Sequence, residues 1–120
     1  VVQDRNFGST FAYQGYGRGL IKKYSKFMKL IDWEARKKTH PDLIFLLDGD
    51  PGKLLKRIKR KTSFEKENIK FHKRARKGFL AQARADRKHW VILDAFGSPS
   101  VLHSKVWERV SKYVHSDHRA

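Results

Sequence analysis

The sequence holds no cysteine among its 120 residues, which excludes disulfides and thiolate metal sites and fits a reducing cytosol. Its longest apolar run, residues 43–47, has five members, far short of the roughly 20 that span a bilayer as a helix. The charged pair Asp4-Arg5 follows only two valines, so the start does not read as a signal peptide. The six histidines form no ligand set: His115 and His118 lie three apart in the terminal tail, short of the three or four protein ligands a metal site ordinarily needs. No Ser/His/Asp or paired-carboxylate arrangement suggests hydrolysis. Acid is scarce, with 12 Asp and Glu against 28 Lys and Arg, for a net charge of +16. Between Lys53 and Lys88 stand fifteen Lys or Arg and three Asp or Glu. Such a field attracts polyanions, either nucleic acid or a nucleotide triphosphate. A solvated helix face accounts for much of the same charge without any partner.

What remains is enough for one modest core: 39% of residues are hydrophobic and 12% aromatic. Val1-Val2 reads as the tail of a buried strand. After a glycine-rich turn, Leu20, Tyr24, Phe27, Met28 and Ile31 recur at helical spacing with lysines opposite, predicting a helix to about Lys38. Pro41 breaks it. Residues 43–47 (Leu-Ile-Phe-Leu-Leu) read as a strand buried on both faces of a parallel sheet. Pro51 starts a short helix with Leu54, Leu55 and Ile58 inward. A longer helix is predicted from Phe64 to about Lys88, with Phe71, Ala75, Phe79, Leu80 and Ala83 toward the core. Trp90 to Asp94 is a second buried strand. Ser98-Pro99 opens a last helix bearing Leu102, Val106, Val110 and Val114, and residues 115–120 read as a frayed tail. The alternation specifies an α/β fold with a parallel sheet.

The richest chemistry lies between Asp4 and Leu20, after the Val1-Val2 run. Ligands of such folds gather outside the carboxyl ends of strands. Arg5 there suits a phosphate, because its fork of donors meets two oxygens at once. Tyr13 offers a stacking face, and Gln14 the paired donor and acceptor that a pyrimidine edge requires. Together they read as a pocket for a nucleoside monophosphate; the ordinary alternatives are a surface ion pair for Asp4-Arg5 and a core ring for Tyr13. Gly15-Tyr16-Gly17-Arg18-Gly19 is not a dinucleotide fingerprint, since the G-x-G-x-x-G spacing is absent.

The run Asp4-Arg5 followed by Ser9-Thr10-Phe11-Ala12-Tyr13-Gln14-Gly15-Tyr16-Gly17-Arg18-Gly19-Leu20 resembles the thymidylate kinase family. Pro41-Asp42-Leu43, Leu47-Asp48-Gly49-Asp50-Pro51, Phe64-Glu65, Phe71-His72-Lys73-Arg74, Asp94-Ala95 and Ser98-Pro99 extend the resemblance in the family's order across nearly the whole chain. It implies the three-layer fold of P-loop nucleoside-monophosphate kinases, in an incomplete form carrying strands 3, 4 and 5 and their helices. The 120 residues would be a single partial domain, with the acceptor segment in 1–20 and the lid in 52–66. The implied reaction moves the γ-phosphoryl group of ATP to dTMP, with Mg2+, in the cytoplasm.

By the same resemblance Arg5 would hold the dTMP phosphate, with Asp4 near magnesium and its waters. Ser9, Thr10, Tyr13 and Gln14 would form the thymine and sugar pocket, which Arg18 helps to shape. Arg57, Arg60 and Lys61 would meet the donor triphosphate, Arg57 and Arg60 as catalytic arginines, and Glu65 would assist magnesium or the lid. The family's Asp-Arg-Phe-Glu-like stretch reads Thr62-Ser63-Phe64-Glu65 here, while Arg74 and Arg76 read as structural or surface residues. No G-x-x-x-x-G-K-[ST] loop occurs in the sequence. The expectation is therefore a fragment lacking the phosphate-loop half, inactive alone, from a family that is commonly a homodimer. The alternative is a basic module, derived from a kinase scaffold, that binds nucleic acid or serves assembly.

Overall fold

A computed structural model describes residues 2–36, 39–58 and 68–117. In chain order these form α1 (Phe7–Thr10), a π-helix (Phe11–Gly17), α2 (Ile21–Ala35), β1 (Ile44–Asp48), α3 (Pro51–Leu55), α4 (Ile69–Ala85), β2 (Trp90–Asp94) and α5 (Pro99–Asp117). The predicted α/β alternation is present, and β1 and β2 pair in parallel with Ile44 opposite Trp90 and Asp48 opposite Asp94. Both strands therefore end on an aspartate at the same edge of the sheet. Val2 belongs to no strand and stands fully exposed. The Val1-Val2 expectation thus fails at Val2, because the sheet's two strands pair with each other and Val2 meets neither. Val1 lies outside the described residues.

Local sequence explains most helix starts. Asn6 caps α1 by accepting from the Gly8 amide at 2.8 Å, and Asp50 caps α3 by accepting from Lys53 at 3.0 Å, with Pro51 in the first turn. Asn68 caps α4, its Oδ1 accepting from the Phe71 amide at 2.9 Å. The predicted start of α4 at Phe64 falls outside the described residues, and its end comes at Ala85 rather than Lys88. Replacing Asn68 with alanine should lower the unfolding free energy by about 1 kcal/mol in denaturant melts. A loss under 0.3 kcal/mol would mean that the cap adds nothing to α4.

The core lies between the π-helix and α4. Phe11, Ala12, Phe71, Ala75 and Ala83 are buried there, and Leu93 of β2 is buried as well. Phe79 and Leu80 are half-buried. The predicted apolar row of α2 faces outward: Leu20, Tyr24, Phe27 and Ile31 are exposed, and only Met28 of that row is half-buried. The helix instead turns Ile21, Ser25, Met28 and the buried Asp32 inward. Asp32 tolerates that position because Arg36 pairs with it, Nε donating to Oδ1 at 2.8 Å.

Candidate functional site

The stretch read as a glycine-rich turn is a π-helix as far as Gly17, and only Arg18 and Gly19 form a turn. Its wider winding is visible where the Arg18 amide reaches back five residues to the Tyr13 carbonyl at 3.0 Å. Such helices are rare and cluster at functional sites. Packing against α4 stabilises this one. Gly17 and Gly78 make that packing reciprocal: a Cβ on Gly17 would lie 2.7 Å from the Phe71 ring, and a Cβ on Gly78 would lie 2.7 Å from the Tyr16 ring. Each glycine is a notch that receives an aromatic ring of the other helix. Two side chains of α4 complete the attachment, Arg74 Nε donating to the Gly17 carbonyl at 2.9 Å and Gln82 Nε2 to the Gly8 carbonyl at 3.1 Å.

On this support the structure brings three of the expected acceptor residues together. The Arg5 guanidinium sits 5.5 Å from the centre of the Tyr13 ring, and its Nη1 donates to Ser9 Oγ at 3.4 Å. Tyr13 stacks on Phe71 with ring centres 5.8 Å apart and planes at 25°, and meets the edge of Phe79 at 5.6 Å. Arg18 closes the series, its guanidinium 4.8 Å from the centre of the Phe71 ring. Two cations thus flank two stacked rings. Arg5 is exposed and adopts φ +66°, the left-handed region that non-glycine side chains disfavour by about 1–2 kcal/mol. Among the described residues it is the sole non-glycine residue with positive φ. Strain of this kind persists where surrounding structure enforces it, and it gathers at binding sites. Asp4 and Thr10 are exposed at the same segment, and Gln14 is half-buried beside Tyr13.

A cavity of about 540 Å³ lies on another side of this segment, lined by Phe7, Phe11, Asp32, Arg36, Gln82 and Trp90 among others. None of Arg5, Ser9, Thr10, Tyr13 or Gln14 lines it, so the predicted ligand residues do not share this hollow.

The donor-side residues are placed only in part. Arg57 follows α3 and lies against the loop after β2, its guanidinium 4.6 Å from the centre of the Phe96 ring and Nη1 donating to the Ala95 carbonyl at 3.3 Å. It therefore stands at the carboxyl ends of the strands, where an α/β sheet presents its ligands. Arg60, Lys61 and Glu65 lie outside the described residues. Arg76, read as structural or surface, grips Asp48 at the end of β1 with two bonds of 2.9 and 3.0 Å. Those bonds raise its proton affinity above the usual arginine value; burial opposes them, and the Asp48 and Asp50 charges add to them. Among the described residues no group of three or more His, Cys, Asp or Glu is arranged to hold a metal ion.

Phe71, Phe79 and Arg74 were legible only as inward or structural residues of α4, and their role beneath the acceptor segment was not. No local pattern could reveal it, since their partners lie more than 50 residues away in sequence.

A model of the thymidylate kinase family matches residues 1–106. The chain is similar to a thymidylate kinase of Cereibacter sphaeroides, 34% identical over 95% of this chain and 55% of that protein. A thymidylate kinase of Solidesulfovibrio magneticus is 37% identical over 95% of this chain and 58% of its own length. One from Deinococcus radiodurans is 36% identical over 96% and 56%. The chain thus spans a little over half the length of these curated relatives.

Proposed function

The chain belongs to the thymidylate kinase family, and we propose that it is the acceptor-binding portion of a longer enzyme that transfers the γ-phosphoryl group of ATP to dTMP. Membership places it in the P-loop nucleoside-monophosphate kinase fold, of which it carries a two-stranded parallel sheet and flanking helices. The observation that carries the reading is the strained, exposed Arg5, just before α1, gathered with Ser9 of α1 and Tyr13 of the π-helix. Arg5 offers its fork to the dTMP phosphate, Tyr13 and Gln14 face the thymine, and Ser9 and Thr10 reach the sugar and phosphate. Arg18, held against Phe71, shapes the pocket's far end.

In the reaction an oxygen of the dTMP phosphate attacks the γ-phosphorus of ATP. The new P–O bond forms as the bond to the β,γ-bridging oxygen breaks, leaving dTDP and ADP. No side chain acts as nucleophile. The protein aligns the reactants and neutralises charge spreading over the equatorial oxygens. Arg5 does so on the acceptor side, while Arg57, Arg60 and Lys61 meet the donor phosphates. Asp4, exposed beside Arg5, would meet the waters of a magnesium ion carried by the nucleotide phosphates. When bound, that ion neutralises donor charge. The sequence holds no phosphate-cradling G-x-x-x-x-G-K-[ST] loop, so turnover requires further sequence that supplies one. The exposed apolar row of α2, with Tyr24, Phe27 and Ile31, supports pairing with a second copy. No helix among the described residues is long and apolar enough to cross a membrane, and a cytoplasmic setting suits the reaction.

The test is calorimetric titration of the chain with dTMP and with thymidine. Saturable binding of dTMP, at least tenfold tighter than thymidine, is the expected result, because Arg5 gains only from the phosphate. Equal affinities, or none from the folded chain, would sink the acceptor-pocket assignment.

A further inference from the structure

The six Lys and Arg of α4 divide into two groups, with no Asp or Glu among the helix's 17 residues. Arg74 and Arg76 turn inward to Gly17 and Asp48. Lys70, Lys73, Lys77 and Arg84 are exposed, and none forms an ion pair among the described residues. At about 100° per residue these four fall within an arc of roughly 60°, and at 1.5 Å per residue they run along about 21 Å of helix. The buried Phe71, Ala75 and Gly78 occupy the opposite side. Arg87 and Lys88 are exposed in the turn that follows.

We infer that this row is a docking surface for the sugar-phosphate backbone of duplex nucleic acid, read without regard to sequence. Three observations choose that partner. The rings of α4 are turned away from the row: Phe71 is 2% exposed, and Phe79 meets Tyr13 edge-on. No stacking platform of the kind that single-strand binders use is left beside the cations. The apolar face of α4 is packed against the π-helix, so it cannot enter a lipid surface as an interfacial helix does. The cations form a line rather than a cup, matching a duplex that presents about one charge per 1.7 Å of axis. This inference does not rest on the kinase reading, since none of the four residues belongs to the acceptor segment.

The experiment is fluorescence anisotropy of the chain with a labelled mixed-sequence DNA duplex of about 20 base pairs, between roughly 50 and 200 mM salt. The logarithm of affinity should fall with the logarithm of salt at a slope near −4, about 0.9 per phosphate contact. A variant with Lys70, Lys73, Lys77 and Arg84 all changed to Gln should lose at least tenfold in affinity and most of that slope. A control with Lys22, Lys26, Lys105 and Arg109 changed to Gln lowers the net charge equally from exposed positions on α2 and α5. It should stay within about threefold of the parent. Single Lys77→Gln, expected to reduce the slope by about one, keeps the test open should the quadruple variant fold poorly. Equal losses in both quadruple variants would overturn the inference, as would absence of duplex binding. So would tighter binding of a single strand, or equal binding of polyglutamate, which would reassign the row to another partner.

Discussion

Replacing Phe71 with alanine is expected to lower the unfolding free energy by about 3–5 kcal/mol, the cost typical of emptying a buried phenylalanine site. Phe71 is 2% exposed, stacks on Tyr13 and supports the Arg18 guanidinium. Its ring also fills the notch at Gly17, so the vacated space opens between α4 and the π-helix, where neither backbone can collapse without moving the other. Domains of this size are stable by only about 5–15 kcal/mol, so such a loss consumes much of the margin. Phe71→Leu keeps most of the volume and should cost under about 1.5 kcal/mol. Denaturant melts followed by tryptophan fluorescence read both variants. A cost below 1 kcal/mol for the alanine variant would show that the stack is not what holds the two helices together.

The second large effect separates binding from folding at Arg5. Arg5→Ala should weaken dTMP binding by about 10–100-fold, the equivalent of losing charged hydrogen bonds worth roughly 1.5–3 kcal/mol. Thymidine, lacking the phosphate, should bind the variant and the parent alike. Arg5→Lys keeps the charge without the fork and should fall between. Arg5→Gly is the informative companion. Because Arg5 holds φ +66°, glycine relieves strain there, and stability should hold or rise by about 1 kcal/mol while dTMP affinity drops with the alanine variant. Calorimetry and denaturant melts on the same samples decide it. If Arg5→Gly loses stability in step with affinity, Arg5 holds the segment together rather than receiving the phosphate.

Both strands and the alternation around them were legible in the sequence because their signals are local. Leu-Ile-Phe-Leu-Leu before Asp48 and Trp-Val-Ile-Leu before Asp94 are continuous apolar runs, and the strands formed over Ile44–Asp48 and Trp90–Asp94. The expected burial on both faces is not met, since Leu47 and Ile92 are exposed. Asp50-Pro51 marks a helix start by its own chemistry. The π-helix escaped notice because three glycines in five residues read as a turn. Gly15 and Gly17 are helical nonetheless, while Gly19 does lie in a turn with φ +77°. The helix is held by Phe71 at Gly17 and by Tyr16 at Gly78, across more than 50 residues. The exposed row of α2 was hidden for a related reason: periodicity says that a helix has an apolar face, not what that face meets. The resemblance singled out Arg5, Ser9 and Tyr13, which the structure gathers. Their support was not legible, since the link from Arg74 to Gly17 exists only in three dimensions.

The attachments of the acceptor segment carry a consequence for synthesis. Four of its partners, Phe71, Arg74, Gly78 and Gln82, lie in α4. A ribosome makes residues 4–18 first and α4 some fifty residues later, at roughly 5–20 residues per second. For those few seconds the emerging segment lacks the α4 surface that it packs against. Tyr13, over which Arg5 sits, thus gains its stacking partner Phe71 only after α4 is made. A chain stalled before Gln82 would present the whole acceptor sequence and none of its shape.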